Sequence, residues 1–251
     1  MLRYGAPAPG VERAEVRLAA VGFAPHRHDR YAVGVTTGGV QAFRYRGASR
    51  ICLPGQLHVL HPDEVHDGGP GTDTGFSYRI VYVDPELVTE ALGGLPFVAD
   101  PVHDAGGAAA PLAAALTDLL ADVDAPLDPV ATVSATVGIA DGLAVLAGGR
   151  SKRAGTIDVR AVRRARDHLR AHLAGTTTAV ELEQVTGLDR YTLVRQFRAV
   201  HGTTPDRYRM LRRLDLARGA IARGRSLADA AAESGFADQS HLTRQIGRAH
   251  V

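Results

Sequence analysis

Two sets of side chains in this chain have the types and spacing to do chemistry. The first is imidazole: His26 and His28 stand one residue apart, and His58, His61 and His66 follow in a stretch punctuated by Pro54-Gly55 and Pro62. A neutral imidazole offers one donor and one lone pair, so several brought together can ligate Zn, Fe or Ni or hydrogen-bond an organic molecule. The second set is a row of hydrogen-bonding side chains that occurs twice. Arg190, Tyr191, Thr192, Val194, Arg195 and Arg198 make one row, and Gln239, Ser240, His241, Thr243 and Arg244 the other. Arginine reads guanine and glutamine reads adenine, each through two hydrogen bonds, while valine offers a thymine methyl an apolar contact; these are side chains suited to the major groove.

The second set lies in an internal repeat, Ala179–Phe197 and Leu227–Gln245. Gly187 and Gly235 are offset by 48 positions, whereas Leu193 and Leu242, Arg195 and Arg244, and Gln196 and Gln245 are offset by 49, so the second copy carries one extra residue in its turn. Apolar residues at helical spacing (Val180, Leu182, Val185, then Leu188, Leu193, Phe197) predict two short amphipathic helices meeting across a glycine that leaves the first helix with positive φ. Between the copies, Pro205 opens a stretch of 19 residues ending at Arg223. As a helix it spans roughly 28 Å, close to the roughly 34 Å between successive major-groove faces of a duplex.

On Gly202-Thr203-Thr204-Pro205-Asp206-Arg207-Tyr208, on Arg213 to Arg218, and on Ala232 to Arg244, residues 156 to 245 resemble the DNA-binding domain of the AraC/XylS family of bacterial transcription regulators. The resemblance implies that Tyr191, Val194 and Arg195 face bases in one groove and Gln239, Ser240, Thr243 and Arg244 in the next. Arg190 and Arg198 are assigned to the phosphate backbone, and RNA polymerase enters as a further partner. It also implies that Arg195→Ala costs about 1–3 kcal/mol at its cognate base.

Charge agrees with this division. Residues 150–251 hold 20 Arg or Lys against 10 Asp or Glu, net +10, and residues 1–149 hold 9 against 17, net −8, so nucleic acid is expected at one end only. The single Cys52, in the apolar run Ile51-Cys52-Leu53, excludes an intramolecular disulfide and reads as a small buried hydrophobe in a reducing compartment. The N-terminus has no basic-then-apolar signal pattern, and no run of 18 uncharged apolar residues occurs. The expectation is a cytoplasmic protein without membrane contact.

The histidines need a scaffold, and residues 11 to 83 read as short strands: Val16–Val21, Tyr31–Thr36, Val40–Tyr45, Arg50–Leu53, Leu57–Leu60 and Phe76–Val83, separated by Gly, Pro and Asp. Residues 1–10, rich in Gly and Pro, read as a loosely docked arm. Regularly spaced short strands predict a jelly roll. The histidine spacing resembles the two motifs of cupins, in which paired histidines, a glutamate and a later histidine bind a metal. This chain departs from that pattern, because no Glu occurs between His28 and Glu64. His26, His28 and His66 are the metal candidates, Asp29 and Glu64 the substitutes for the missing carboxylate, and no cofactor is expected. The competing reading, favoured by the family resemblance, is a pocket for a small-molecule effector lined by His26, His28, Tyr31, Phe43, His61 and His66.

Helical texture begins at Pro85, with Pro85–Leu92, Pro111–Ala121 and Pro129–Leu146; the last two have apolar faces large enough to need the barrel, each other or a second subunit as cover, and the resemblance implies a homodimer. Val159–Leu173 is a further helix with a basic face. The fold class is therefore multi-domain α and β. A cupin-like β jelly roll occupies 1–84, a helical connector 85–147, a linker 148–155, and an all-α tandem helix-turn-helix 156–251. After Gln245 the second copy lacks the aromatic that follows Gln196 in the first; Ile246–Val251 matches one reading frame of a common sequencing adapter and is expected to replace a longer native C-terminus. The function expected is a non-enzymatic regulator that binds double-stranded promoter DNA and responds to a small-molecule effector. Two alternatives are a metal-dependent cupin enzyme with an accessory DNA-binding domain, and a DNA-binding protein whose barrel only dimerises.

Overall fold

The computed structural model describes residues 1–149 and 156–249, without the side chains of residues 248 and 249. Of the expected linker only Gly148 and Gly149 fall among them, and of the expected foreign tail His250 and Val251 do not. The chain divides into two units, Met1–Leu127 with Ala135–Lys152, and Asp128–Ser134 with Arg153–Val251.

The first unit is a sandwich of two antiparallel sheets. Its strands are β1 (Leu2–Tyr4), β2 (Val11–Leu18), β3 (Phe23–His26), β4 (Tyr31–Gly39), β5 (Gln41–Tyr45), β6 (Ala48–Cys52), β7 (Leu57–Leu60), β8 (His66–Pro70), β9 (Phe76–Val83) and β10 (Val102–His103). One sheet runs β1-β2-β9-β4-β7-β10 and the other β3-β8-β5-β6. Inward residues of the two sheets, among them Val16, Phe43, Tyr45, Phe76, Tyr78 and Ile80, form the core, the alternation that a half-buried strand requires. The expected loose arm is instead ordered: Leu2, Arg3 and Tyr4 pair with Val16, Glu15 and Ala14, and the Arg3 guanidinium meets Glu15 at 2.6 Å. Strands β3 and β8 escape sequence reading because Phe23-Ala24-Pro25-His26 and His66-Asp67-Gly68-Gly69-Pro70 hold one strand-forming residue between them, Phe23, among Pro, Gly and Asp; pairing with each other and with β5 imposes their conformation.

Helix α1 (Pro85–Leu92) starts on its proline and ends on Gly93 at φ 87°. Helix α2 (Ala110–Leu120) has no basic residue in its last turn. The sheet supplies the missing donors instead: buried Arg13 reaches the carbonyls of Leu119, Asp122 and Ala125, and Arg79 that of Leu120 at 3.0 Å. In α3 (Pro129–Leu146) the glycines have a packing reason, since a Cβ at Gly138 or Gly142 would lie 2.9 Å from Ala115 Cβ or 2.7 Å from Leu112 Cβ. The apolar faces of α2 and α3 thus cover each other. By length and composition α3 could cross a membrane, with mean hydropathy 1.6, and half of it is buried within the fold.

In the second unit, α4 (Val159–Ala171), α5 (Ala179–Thr186) and α6 (Arg190–His201) share a core of Val162, Leu169, Leu182, Leu193 and Phe197, joined by Val130 from the start of α3. A second core, Leu214, Ala217, Ala230, Phe236 and Leu242, lies between α7 (Pro205–Ala222), α8 (Leu227–Glu233) and α9 (Gln239–Ala249). Tyr208 packs against the first core and Met210 and Ile221 against the second, so α7 is shared by both. The repeat seen in the sequence is a repeat of caps. Thr178 accepts from Glu181 N and Ser226 from Asp229 N at the first helix of each copy; Gly187 and Gly235 follow at φ 73° and 77°. Ile246 takes the place that Phe197 holds in the first copy and packs, partly buried, against the second core.

Candidate effector cavity and nucleic-acid interface

A cavity of about 310 Å³ opens inside the sandwich, at the small end of the ligand-site range. Strand pairing puts histidines in it. His26 on β3 stands opposite His66 on β8, and the ring centroids are 4.5 Å apart for His26–His66 and 4.8 Å for His28–His66. Each of the three rings donates through Nδ1 to a main-chain carbonyl: His26 to Ala24 at 2.8 Å, His28 to Arg30 at 2.8 Å and His66 to Glu64 at 2.9 Å. A carbonyl oxygen only accepts, so the proton sits on Nδ1 and Nε2 carries the lone pair. Burial holds the pKa of His66 down to about 4, helped by the neighbouring imidazoles, and lowers that of His28.

Deeper in the cavity lies His58, a residue that the effector set read from the sequence omits. On β7 its side chain alternates with Leu57 and Val59 and shares the cavity face with Leu60. It lies opposite Gly34 on β4, and a Cβ at Gly34 would come within 2.5 Å of the ring, so the glycine makes room for the imidazole. Tyr78 packs edge-on at 5.5 Å, the ring is 1 % exposed, and neither nitrogen has a hydrogen-bond partner. Burial lowers its pKa to about 4. The available signal was parity on a strand whose partner carries a glycine at the opposing position.

Of the residues expected in the pocket, His26, His28, Phe43 and His66 line the cavity. Tyr31 and His61 do not, and both are corrections. Tyr31 has the opposite parity from Ala32 and Gly34, and its hydroxyl donates to Pro96 O at 2.9 Å. His61 lies past the end of β7, where its backbone amide donates to Tyr45 Oη at 3.0 Å and its Nε2 accepts from Val98 N at 3.1 Å. The metal candidates do not fit a ligand set. Among the described residues no group of three or more His, Cys, Asp or Glu stands in ligating arrangement, and Glu64, the substitute carboxylate, is held by Arg46 at 2.5 and 2.8 Å.

In the second unit the two reading helices differ in exposure. On α9 the side chains of Gln239, Ser240, Thr243 and Arg244 are exposed, while Leu242 is fully buried beneath them. His241 is half-buried, its ring edge-on to Phe236 at 5.3 Å. On α6, Arg198 is exposed and Thr192 half-buried. Tyr191, Val194 and Arg195, expected on the outward face, are buried at 8, 4 and 8 % exposure. The reason is legible afterwards: Tyr191 and Val194 form an apolar strip beside that of Leu193 and Phe197, so α6 is apolar over a wider arc than one packing face needs. Arg190 is half-buried and held by Glu183 at 2.9 and 3.0 Å, and the guanidinium keeps that carboxyl below its ordinary pKa. The basic face of α4 is also partly structural, since Arg164 donates to the carbonyls of Val185 and Thr186 at the end of α5.

Residues 8–135 match the family profile described as the AraC-like ligand binding domain, and residues 182–250 match that of a helix-turn-helix domain. The chain belongs to the AraC family. It is similar to the HTH-type transcriptional regulator YbfI of Bacillus subtilis (strain 168), with 24 % identity over 242 residues, 88 % of this chain and 81 % of that protein. Among solved structures, it is similar to KdgF from Halomonas sp. (17 % identity, TM-score 0.30, 33 % of this chain and 76 % of that one). It is also similar to a Cupin 2 conserved barrel domain protein from Salinispora arenicola CNS-205 (24 %, 0.31, 33 % and 74 %). As an AraC-family member the chain is a DNA-binding transcription regulator that responds to an effector, with the antiparallel sandwich as the ligand-binding part and a tandem helix-turn-helix as the DNA-binding part.

Proposed function

We propose that α9 is the principal base-reading element, with Gln239, Ser240, Thr243 and Arg244 at base edges and Arg198 of α6 on phosphate. The observation that carries this is the open polar row of α9, fixed by the buried Leu242 on the opposite side of the helix. Thr192 and His241 are secondary contacts, and Arg190 is a backbone contact in competition with Glu183. Tyr191, Val194 and Arg195 read bases only when their face is uncovered.

The effector occupies the cavity bounded by His28, Phe43, His58 and His66, with His26 at its mouth. The chain acts without enzymatic activity, in the cytoplasm and without membrane contact. It works as a homodimer and through RNA polymerase, and residues 148–155 link sensor to reader. Selection of bound sequences from a random DNA pool, with and without a metabolite library, tests the reading. The expected outcome is one strongly specified block of bases, read by α9, with a weaker block roughly 10 bp away, one helical turn; recovery of random sequence at physiological salt would overturn it.

A further inference from the structure

The chemistry of the cavity restricts what enters it. His26, His28 and His66 each spend their Nδ1 proton on a backbone carbonyl, and so each presents a lone pair at Nε2. At the floor, His58 has one donor and one lone pair, both unpartnered and buried. A group that both donates and accepts satisfies such a ring, and a hydroxyl does so at either nitrogen. A carboxylate or phosphate, acceptor only, would set its own lone pairs against those of the three Nε2 atoms. The charged lining points the same way. Glu12, Asp29 and Asp67 are carboxylates, and the lining cation Arg30 is already engaged by Asp84 at 2.9 Å and by Glu12 at 3.7 Å. Phe43, Tyr78 and Ile80 offer apolar walls.

Resting on the reading of the barrel as the sensor, we propose that its effector is an uncharged small molecule carrying several hydroxyl groups and an apolar face, and that anions are excluded. The hydroxyls donate to Nε2 of His28 and His66, one of them exchanges a hydrogen bond with His58, and the carbon skeleton lies against Phe43 and Tyr78. Burial strengthens this selectivity, because His58 and His66 stay neutral near pH 7 and attract no anion by charge.

Calorimetric titration and thermal melting of the full chain at pH 7.5 would use probes matched in size: catechol and xylitol as hydroxyl donors, benzoate and xylonate as anions. A charge-sorted metabolite library would follow in the melting assay. Hydroxyl compounds are expected to bind and raise the melting temperature and anions to do neither. His66→Phe and His28→Leu should each weaken binding about tenfold, the order expected for one lost hydrogen bond, whereas His66→Gln, which keeps an acceptor oxygen, should restore most of it. The melting temperature of each ligand-free variant reports whether it folds. Anion binding that is weakened by the same substitutions would overturn the hydroxyl class and leave the sensor reading standing. Hydroxyl binding indifferent to His28 and His66 would overturn the assignment of these groups. The absence of any stabilising compound from either half of the library would overturn the sensor reading, and the class with it.

Discussion

The carboxylates of Asp189 and Asp238, 49 positions apart, cap equivalent helices at equivalent amides: Asp189 Oδ1 accepts from Thr192 N at 2.9 Å and Asp238 Oδ1 from His241 N at 2.6 Å. The same offset relates the side chains each helix presents, so the cap sets the rotation of α6 and α9 alike. The extra residue of the second copy is absorbed upstream, between Gly235 and Asp238, where it changes nothing in α9.

Replacing Asp238 with Ala should therefore cost about 1 kcal/mol of stability, as loss of a side-chain cap does, and Asp238→Ser should restore most of it. Chemical denaturation of each variant measures the first effect. Footprinting should show weakened protection on the α9 side of the operator only.

Arg244 and Arg198 are exposed on different helices and should fail differently. Arg244→Ala is expected to cost about 1–3 kcal/mol at one base and relax specificity there, whereas Arg198→Ala should weaken all sequences alike and lower the salt slope by about one. Arg195→Ala, at a buried position, should lower the melting temperature even without DNA. Binding to specific and random duplexes at several salt concentrations separates the three.

Acidification should destabilise the sensor. His58 is enclosed by Phe43 of β5 and Tyr78 of β9, with His66 of β8 as its titratable neighbour, and both histidines titrate near pH 4 when folded. Between that value and about 6.5 the unfolded chain binds more protons, so stability rises with pH; on going from pH 7 to pH 4, His58 alone should remove about 3 kcal/mol. Urea midpoints across this range should fall steeply for the wild type and less for His58→Phe. Equal slopes would contradict the assignment.

The two turn glycines should differ although both have positive φ. A Cβ at Gly187 meets open space, while at Gly235 it would lie 2.7 Å from the Ala174 backbone. Gly187→Ala should cost about 1–2 kcal/mol for the left-handed conformation alone, and Gly235→Ala clearly more. Thermal melting of the two variants compares them directly.

Tyr31→Phe removes a hydroxyl that bonds Pro96 and lies outside the cavity. Effector affinity by calorimetry should be unchanged while stability falls by about 1 kcal/mol; weakened binding at unchanged stability would return Tyr31 to the site.

The amino-acid sequence by itself determined the tandem helical repeat, the glycine turns, the charge division and most of the strands. These are local: turn glycines and periodic apolar residues act over a few positions, and they leave their mark on the chain in order. It also supplied the histidines of the cavity without saying which would share it. That choice fell to tertiary structure, through strand parity that turns Tyr31 away, a register that sets His26 against His66, and a glycine on a neighbouring strand that makes room for His58. The exposure of a reading helix was decided there too. Tyr191 and Val194 could serve a groove or a core, and only packing on the folded chain settles which face of an apolar helix is covered.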